Sequence, residues 1–384
     1  MHLRTTPPTN NDAPGSRERH ETVIVGAGQA GLSVAYHLGR AGHPTVVLHA
    51  DDRVGDNWRR HWDSLRLYNP ARYCGLPGMA FPADEWAFPT RDEVADFLET
   101  YARTYEMDVR GGATVHSLTR QEERLVVATQ DREFVADNVV VATGTFGRPK
   151  RPSFAVELDP QIVQLHSSDY RTPGQLQSGP VLVVGASHSG ADVAIEVATD
   201  HPTILCGPSR GQIPFELEGR TVRRLFPLLW LVAGHALNVR TPLGRKARRE
   251  ARSHGGPLLR YRDVDLEAAG VERTNERVVG VHDGRPVLES GRVLEATNVV
   301  WCTGFHQDFS WIDLPVIDDD GWPQEHRGVV EGAPGLYFNG LAFQSSFRSM
   351  LIGGAGNDAR YVARHIAARQ AAASTSRHPR AAAA

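Results

Sequence analysis

The chain has 384 residues, enough for two domains that each bury a sizeable core. Its formal net charge of −3 gives no reason to expect nucleic acid as a partner. The longest candidate for a transmembrane segment, residues 226–232, is far shorter than the roughly 18 apolar residues that a membrane span needs.

Both ends of the chain have the composition of tails. Residues 1–20 are polar, contain Pro7, Pro8 and Pro14, and lack the apolar stretch of a secretory signal. We therefore predict a disordered tail at residues 1–20 and a second one at the alanine-rich residues 373–384.

The first predicted β-α-β unit spans residues 22–48. Apolar residues 22–26 read as a buried strand, residues 29–40 as a helix, and residues 45–48 as the next strand. The turn between strand and helix is Gly-Ala-Gly-Gln-Ala-Gly, which is the pattern that binds a dinucleotide pyrophosphate at a helix N-terminus. Its glycines are Gly26, Gly28 and Gly31, which we expect to allow the tight turn, the approach of the pyrophosphate and close helix–strand packing.

The pattern recurs about 160 residues later as Gly-Ala-Ser-His-Ser-Gly, between predicted strands at residues 181–185 and 203–206. Here Gly185, Ser187, Ser189 and Gly190 form the turn before a predicted helix at residues 189–199. One such loop is a weak signal. Two in one chain predict two bound nucleotides, and therefore electron transfer between two cofactors.

The residues that would contact the two riboses are unusual. An acidic residue usually ends the second strand of such a unit, but His49 stands there, with Asp51 and Asp52 close behind as alternatives. In the second unit Cys206 takes the same place and Arg210 follows. The absence of a carboxylate there favours NADPH over NADH, although Arg210 alone also fits a solvated surface cation.

A second repeat indicates how the two units are connected. Residues 138–144 and 298–304 are both apolar strands that end in a Thr-Gly turn, Thr143-Gly144 and Thr303-Gly304. We predict an α/β protein with two Rossmann-like dinucleotide-binding domains, the second inserted into the first. The first would comprise residues 21–150 and 300–372, and the second residues 151–299.

Two further segments have more than one interpretation. Residues 215–260 are arginine-rich around an apolar centre and form a solvated surface insertion, a lid over the substrate pocket, or a patch that contacts an anionic membrane. Gly353, Gly354 and Gly356 precede a predicted helix at residues 357–369. They either bring backbone N–H groups close to a cofactor or form a packing turn.

Cys74, Cys206 and Cys302 are too far apart in sequence for a CxxC redox pair or a zinc knuckle. We expect reduced, mostly buried thiols in a cytoplasmic protein, since free cysteine is among the most buried residue types. The spacing argues against a dithiol–disulfide reductase, and no metal cluster is evident.

Taken together, these segments resemble the class B flavin monooxygenases, which are single-component enzymes that use FAD and NADPH and include the flavin-containing and the plant indole-pyruvate monooxygenases. The resemblance spans residues 22–368 and rests on both glycine loops, both Thr-Gly strands, and matching segments at residues 55–59, 62–67, 166–170, 336–340 and 356–359. Tyr170 stands where Baeyer–Villiger enzymes have Trp, which argues against that reaction.

The resemblance implies that NADPH reduces FAD, that O2 adds to give a C4a-hydroperoxyflavin, and that one oxygen atom passes to a small organic substrate. The cofactor would carry the chemistry. The implied catalytic residues are Asn69, Trp58 and Asp308, although an Asn-Pro turn, core packing and helix capping are the respective structural alternatives. For His166 we favour a structural role. The predicted cofactor-binding residues are Gly26, Gly28, Gln29, Ala30, Gly31, His49, Trp58, Leu67, Thr143, Gly144, Gly185, Ser187, Ser189, Gly190, Arg210, Thr303, Gly304, Gly354 and Gly356.

Two other functions stay open at this point. Tyr68 occupies the place of an Asn that holds the oxygenated flavin in flavin-containing monooxygenases, which favours an FAD-dependent NAD(P)H oxidase or reductase that oxygenates no substrate. The third possibility is a non-enzymatic redox sensor that regulates a partner.

Overall fold

The computed structural model describes residues 16–377, which form one mixed and one parallel sheet, both flanked by helices. The first sheet has seven strands, with the order β3-β2-β1-β6-β5-β4 and with β16 also paired to β6. Its strands are β1 (Ser16–Val25), β2 (Thr45–Leu48), β3 (Val109–Arg110), β4 (Val115–Gln121), β5 (Arg124–Thr129), β6 (Arg132–Val141) and β16 (Leu336–Phe338).

Both faces of this sheet are covered by other parts of the chain. Because side chains alternate along each strand, neighbouring apolar residues lie in opposite cores. Ile24 and Val47 face a core formed with the helices α1 (Gln29–Arg40), α3 (Arg91–Thr104) and α8 (Ala355–Arg377). Val23 and Val46 face the opposite core, which is closed by β4, β5 and residues 309–342. The short helix α2 (Asp56–Arg59) lies against α3.

The second sheet is all-parallel, with the order β11-β10-β9-β14-β8. Helix α4 (His188–Val197) covers one of its faces, and fully buried Trp301 lies in the core on the other face. The strands are β8 (Val163–His166), β9 (Val181–Val184), β10 (Thr203–Cys206), β11 (Glu272–Thr274) and β14 (Asn298–Trp301), and the hairpin β12 (Val278–His282) and β13 (Arg285–Leu288) extends from this unit.

The chain crosses between the two sheets twice, and the two crossings pair with each other. Strand β7 (Arg148–Pro149) follows the first Thr-Gly turn and runs antiparallel to β15 (Phe305–His306), which follows the second. Strand β16 then returns to the first sheet and pairs in parallel with the end of β6. The first sheet therefore takes strands from both ends of the chain, and the second sheet is formed by residues between them.

Three helices follow the second glycine unit: α5 (Arg220–His235), α6 (Pro242–Ser253) and α7 (Asp263–Ala268). The first two are the core of the arginine-rich insertion predicted at residues 215–260. No helix in the part of the chain described here is both long and apolar enough to cross a membrane.

Both tail predictions need correction where the structure describes them. Strand β1 begins at Ser16, since residues 16–20 pair in parallel with β6 and Glu18 forms an ion pair with Arg132 (3.1 Å). Helix α8 runs to Arg377, so residues 373–377 are helical. The remainder of each predicted tail, residues 1–15 and 378–384, lies outside the described residues.

Candidate functional site: two glycine loops and the segment between them

The first glycine loop leaves an open cradle at the start of α1. Gly26 has a φ of +108°, and a Cβ added there would lie 2.5 Å from the Ala142 carbonyl oxygen. A Cβ at Gly31 would overlap the Gly26 carbonyl oxygen, so both glycines are required by packing. A Cβ at Gly28, by contrast, would meet no atom within 4 Å. Gly28 therefore faces free space at the N-terminus of α1, where no side chain caps the helix.

The end of β16 holds this loop in place. The amide of Asn339 donates a hydrogen bond to the Ala30 carbonyl (2.9 Å), and a Cβ at Gly340 would lie 2.5 Å from the Ala30 Cβ. The carbonyl of Gln29 accepts a hydrogen bond from Ser33 inside α1. The C-terminal strand thus fixes the helix whose N-terminus forms the cradle.

His49 lies at the end of β2 as predicted and is buried. Its Nε2 is 3.3 Å from the Arg53 carbonyl and 3.7 Å from the Asp51 carboxylate. Burial lowers the pKa of His49, and the Asp51 charge opposes this effect. Asp51 is itself bound by both guanidinium nitrogens of Arg60 (2.5 and 2.8 Å). His49 and Asp51 therefore form one polar group beside the first cradle.

The second glycine loop has the same backbone but is covered. Gly185 has a φ of +114°, and a Cβ at Gly190 would overlap the Gly185 carbonyl oxygen, which repeats the first loop. Ser187, however, donates a hydrogen bond to the Gly256 carbonyl (2.8 Å). A Cβ at Gly255 would lie 3.0 Å from the Ser187 side chain. Residues 255–257 thus lie over the position through which a pyrophosphate would approach.

A buried polar cluster joins the two units beside this loop. The Tyr68 hydroxyl donates to the Asp192 carboxylate (2.8 Å), and Arg260 lies 3.5 Å from the same oxygen. Arg260 also donates to the Leu67 carbonyl (2.8 Å). This bond connects the end of the insertion to residues 62–67, the flavin segment, which contains the predicted cofactor-binding residue Leu67. Burial raises the pKa of Asp192 to about 6, although Arg260 and Tyr68 favour the carboxylate. The ring of Tyr68 also contacts His188 edge-on, and burial lowers the pKa of His188 to about 4.

Sequence reasoning missed Asp192 and Arg260. Asp192 is the acidic residue within the otherwise apolar stretch Ala-Asp-Val-Ala of α4, and this was the signal that could have identified it. Its partners are 124 and 68 residues away in sequence, so no local pattern indicates the cluster.

Trp58 lies between the hydrophobic cores of the two units and packs against both. Its indole Nε1 is buried and has no hydrogen-bond partner in the structure. An ordered water or a bound molecule can accept a hydrogen bond from this N–H, and the place of Trp58 beside the flavin stays a prediction. Gly55 positions the turn before it, since a Cβ there would lie 2.5 Å from the Ala95 carbonyl oxygen.

Asn69 and Asp308 do not come together with Trp58 through any contact that the structure shows. The carbonyl of Asn69 lies 3.6 Å from the Cys74 thiol within a turn that precedes Pro70. Asp308 accepts a hydrogen bond from the Ser310 hydroxyl (2.7 Å) and forms an ion pair with Arg148 (3.3 Å), next to the β7–β15 crossing. No helix begins at Asp308 in the described part of the chain, so the helix-capping alternative is wrong, and the catalytic assignment of both residues stays a prediction.

The Thr-Gly turns and His166 lie beside the paired strands β7 and β15, where the chain passes between the two sheets. Gly144 and Gly304 have nearly equal φ angles of +78° and +79°. His166 is fully buried and lies 3.0 Å from the Gly304 carbonyl, while Thr303 donates to the Lys150 carbonyl. These contacts support the structural role that we favour for His166. Thr143 is exposed on the first crossing.

The glycines before α8 make room for protein atoms. A Cβ at Gly354 would overlap the Arg348 carbonyl oxygen, and one at Gly356 would lie 2.6 Å from the Pro77 ring. The packing alternative therefore fits both residues, and their contact with a cofactor stays a prediction. Arg210 is exposed beyond β10, and Ser189 lies half-buried in the first turn of α4.

The arginine-rich insertion is anchored to the first unit. Arg248 and Arg252 of α6 form ion pairs with Glu325, whose side chain is fully buried (2.8 and 3.6 Å). Arg348 donates to the Trp230 carbonyl (2.7 Å) of α5, the other helix of the insertion. One face of the insertion is therefore fixed rather than solvated.

Comparisons with known proteins agree with this architecture. A family model described as "Pyridine nucleotide-disulphide oxidoreductase" matches residues 23–206. An uncharacterized CzcO-like oxidoreductase from Geobacillus kaustophilus (strain HTA426) is 36% identical over 348 residues, which cover 90% of this chain and 98% of the relative. The probable indole-3-pyruvate monooxygenase YUCCA3 of Arabidopsis thaliana is 29% identical and is matched over 90% of this chain and 86% of its own length. A solved flavin-containing monooxygenase from Stenotrophomonas maltophilia is 26% identical, with a TM-score of 0.71 and coverage of 92% and 99%.

The chain belongs to the class B flavin monooxygenase family. It is an enzyme, a flavoprotein oxidoreductase, and its cofactors are FAD and NADPH. The predicted recognition, enzyme class and cofactors are confirmed, and the non-enzymatic sensor is excluded as an alternative.

The residues of the two glycine loops fit the two cofactors to different degrees. The free space at Gly28 and the uncapped start of α1 fit the pyrophosphate of a bound dinucleotide without any rearrangement. At the second loop the backbone of Gly185 and Gly190 fits equally well, but residues 255–257 must first move away from Ser187.

Disulfide chemistry is not supported by the cysteines, although the matching family model is named for it. Cys74, Cys206 and Cys302 are all free. Burial raises the pKa of the Cys74 and Cys206 thiols to about 12, so neither is a thiolate nucleophile near neutral pH. Redox chemistry in this family member therefore depends on the nucleotides.

Proposed function

We propose that the enzyme uses NADPH and O2 to insert one oxygen atom into a small organic substrate. The observation that carries this proposal is the pair of glycine loops with matching backbones. A solved flavin-containing monooxygenase aligns with 92% of this chain and 99% of its own length, which supports it. The similarity to an indole-3-pyruvate monooxygenase over 90% of the chain supports it and makes carbonyl acids one substrate class to test.

We assign FAD to the first cradle and NADPH to the second. The FAD domain would comprise residues 16–150 and 300–372, with its start moved to the first residue of β1, and the NADPH domain residues 151–299. The pairing of β16 with β6 and of β7 with β15 supports an inserted second domain. The three free thiols support a cytoplasmic location.

Bound FAD would supply hydride acceptance and oxygen activation. The protein groups around it would bind, orient and exclude water. The N–H groups at the start of α1 would hold the pyrophosphate, and His49 with Asp51 would contact the ribose. Trp58 would form an apolar wall where the two units meet.

The second loop makes NADPH binding conditional on movement of residues 255–257. The Ser187 hydroxyl that now donates to Gly256 would be released by this movement. Arg260 and Asp192 lie beside this segment and connect it to the flavin segment at Leu67. Binding of NADPH would thus alter contacts in both units. Cys206 at the end of β10 carries no charge that would repel a 2′-phosphate, and exposed Arg210 is available to bind one, which supports NADPH over NADH as the nucleotide.

The test is a screen of amines, sulfides, ketones and carbonyl acids for stimulated NADPH oxidation, with each product analysed by mass. A gain of one oxygen atom, drawn from labelled O2, supports the proposal. The oxidase alternative is favoured by Tyr68, whose hydroxyl is engaged by Asp192. If NADPH oxidation yields only stoichiometric hydrogen peroxide with every substrate class, the oxidase is the correct function.

A further inference from the structure

Helix α5 exposes an apolar stripe that no other described part of the chain covers. Leu225, Leu228, Leu229 and Val232 follow the i, i+3, i+4, i+7 spacing of one helix face and are 40%, 59%, 40% and 37% exposed. A different face of the same helix is buried through Val222 and Phe226. A helix that is apolar on two faces is normally covered on both. The exposed stripe therefore lacks the surface that would cover it.

The surroundings of this stripe are strongly basic. Between residues 219 and 254 the sequence has nine lysines and arginines and a single acidic residue, Glu250, although the whole chain has a net charge of −3. Two of the nine pair with buried Glu325, and Lys246 lies 4.0 Å from Glu250. The exposed arginines that remain around the stripe are Arg220, Arg223, Arg224, Arg240, Arg245 and Arg249.

Contacts with the first unit hold the stripe in its exposed position. Besides the Arg348–Trp230 contact, the guanidinium of Arg348 lies 4.9 Å from the centroid of the Trp230 ring. The backbone of Val239 donates to the Ser345 carbonyl (2.9 Å), and that of Phe347 donates to the Leu237 carbonyl (3.0 Å). The basic, apolar surface is thus presented by a helix whose other side is docked onto the first unit.

We propose that α5 and the arginines around it dock on an anionic membrane surface, with the helix lying flat in the headgroup region. The leucines would enter the boundary between headgroups and acyl chains, and the arginines would contact lipid phosphates. Charge complementarity selects this occupant. A second copy of the chain would bring two strongly basic surfaces together, and like charges at an interface oppose association.

The experiment uses the full-length, FAD-loaded protein and vesicle co-sedimentation. One set of vesicles contains equal parts of phosphatidylcholine and phosphatidylglycerol, and the other contains phosphatidylcholine alone. We expect binding to the anionic vesicles only, weakened by added salt. Leu228→Glu should lower the partition coefficient by about tenfold or more, and Arg224→Gln by about fivefold.

Val264→Glu is the matched control, because Val264 is a 57% exposed apolar residue on another helix, α7. This variant should bind vesicles like the wild type. Flavin absorbance and thermal unfolding of all three variants should match the wild type, which shows that the fold is intact. Absence of binding to anionic vesicles, or an equal effect of Val264→Glu and Leu228→Glu, overturns the proposal. A wild-type dimer that Leu228→Glu converts to a monomer also overturns it, since the stripe would then be a protein interface.

Discussion

The free space at Gly28 makes the first cradle directly testable. Gly28 has a φ of −81° and a ψ of −176°, an extended conformation that any residue adopts. No atom lies within 4 Å of a Cβ placed on Gly28. Gly28 is also the N-cap of α1, a position where asparagine is at least as favourable as glycine. The substitution Gly28→Asn should therefore leave the apo protein as stable as the wild type.

The same substitution should weaken FAD binding strongly. The new side chain would fill the cradle, and its amide oxygen would accept hydrogen bonds from the N–H groups at the start of α1 that a pyrophosphate would use. One hydrogen bond to a charged group is worth about 1.5–3 kcal/mol, so the dissociation constant of FAD should rise about 10- to 150-fold. Titration of the apo protein with FAD, followed by quenching of flavin fluorescence, measures this change.

Gly39→Ala is the control, since Gly39 lies exposed in the same helix and a Cβ there also meets no atom within 4 Å. It should raise the free energy of unfolding by about 0.5–1 kcal/mol and leave FAD affinity unchanged. Wild-type FAD affinity in Gly28→Asn would refute the assignment of the first cradle. Loss of the apo fold in that variant would refute the free space at Gly28.

Three further outcomes are expected. Glu325→Gln leaves the two arginines of α6 without their buried partner, and we expect it to lower the free energy of unfolding by about 3 kcal/mol in denaturant titrations; an unchanged midpoint would show that α6 is not anchored there. Burial raises the pKa of Asp192 from 3.8 to about 6, so the folded state binds the extra proton between these values and the contribution of Asp192 to stability falls as pH rises from about 4 to about 6. The difference in unfolding free energy between the wild type and Asp192→Asn should follow this decline, and a difference that does not vary with pH would contradict it. Ser187→Ala removes the hydrogen bond to the covering segment, so the KM for NADPH should fall about two- to tenfold with FAD affinity unchanged, whereas a higher KM would show that the hydroxyl mainly holds the nucleotide.

Local sequence patterns predicted the elements that depend on local contacts. The helix at residues 29–40 and the strands at residues 45–48 and 203–206 were predicted with the bounds that the structure has. The glycine loops were predictable because only glycine fits next to the Ala142 and Gly185 carbonyls. Predictions failed at Ser16, where the polar residues gave no sign of the pairing with β6 that makes them a strand.

The features that sequence could not predict depend on contacts between distant residues. The glycines at residues 255 and 256 gave no indication that they cover Ser187, which lies 69 residues earlier. The Tyr68–Asp192 contact joins two different units. Gly354 resembles a glycine that approaches a ligand, yet protein backbone fills the space beside it. Spacing alone does not distinguish a glycine that makes room for a cofactor from one that makes room for the chain itself.

Electron transfer from one bound dinucleotide to the other is the function on which both glycine loops converge. Anaerobic addition of NADPH to the purified protein, followed by its visible absorption spectrum, tests this most directly. We expect a yellow protein whose flavin band disappears on addition of NADPH, at a rate that rises in Ser187→Ala at limiting NADPH. A colourless protein that takes up no added FAD, or a flavin band that NADPH does not change, would contradict it.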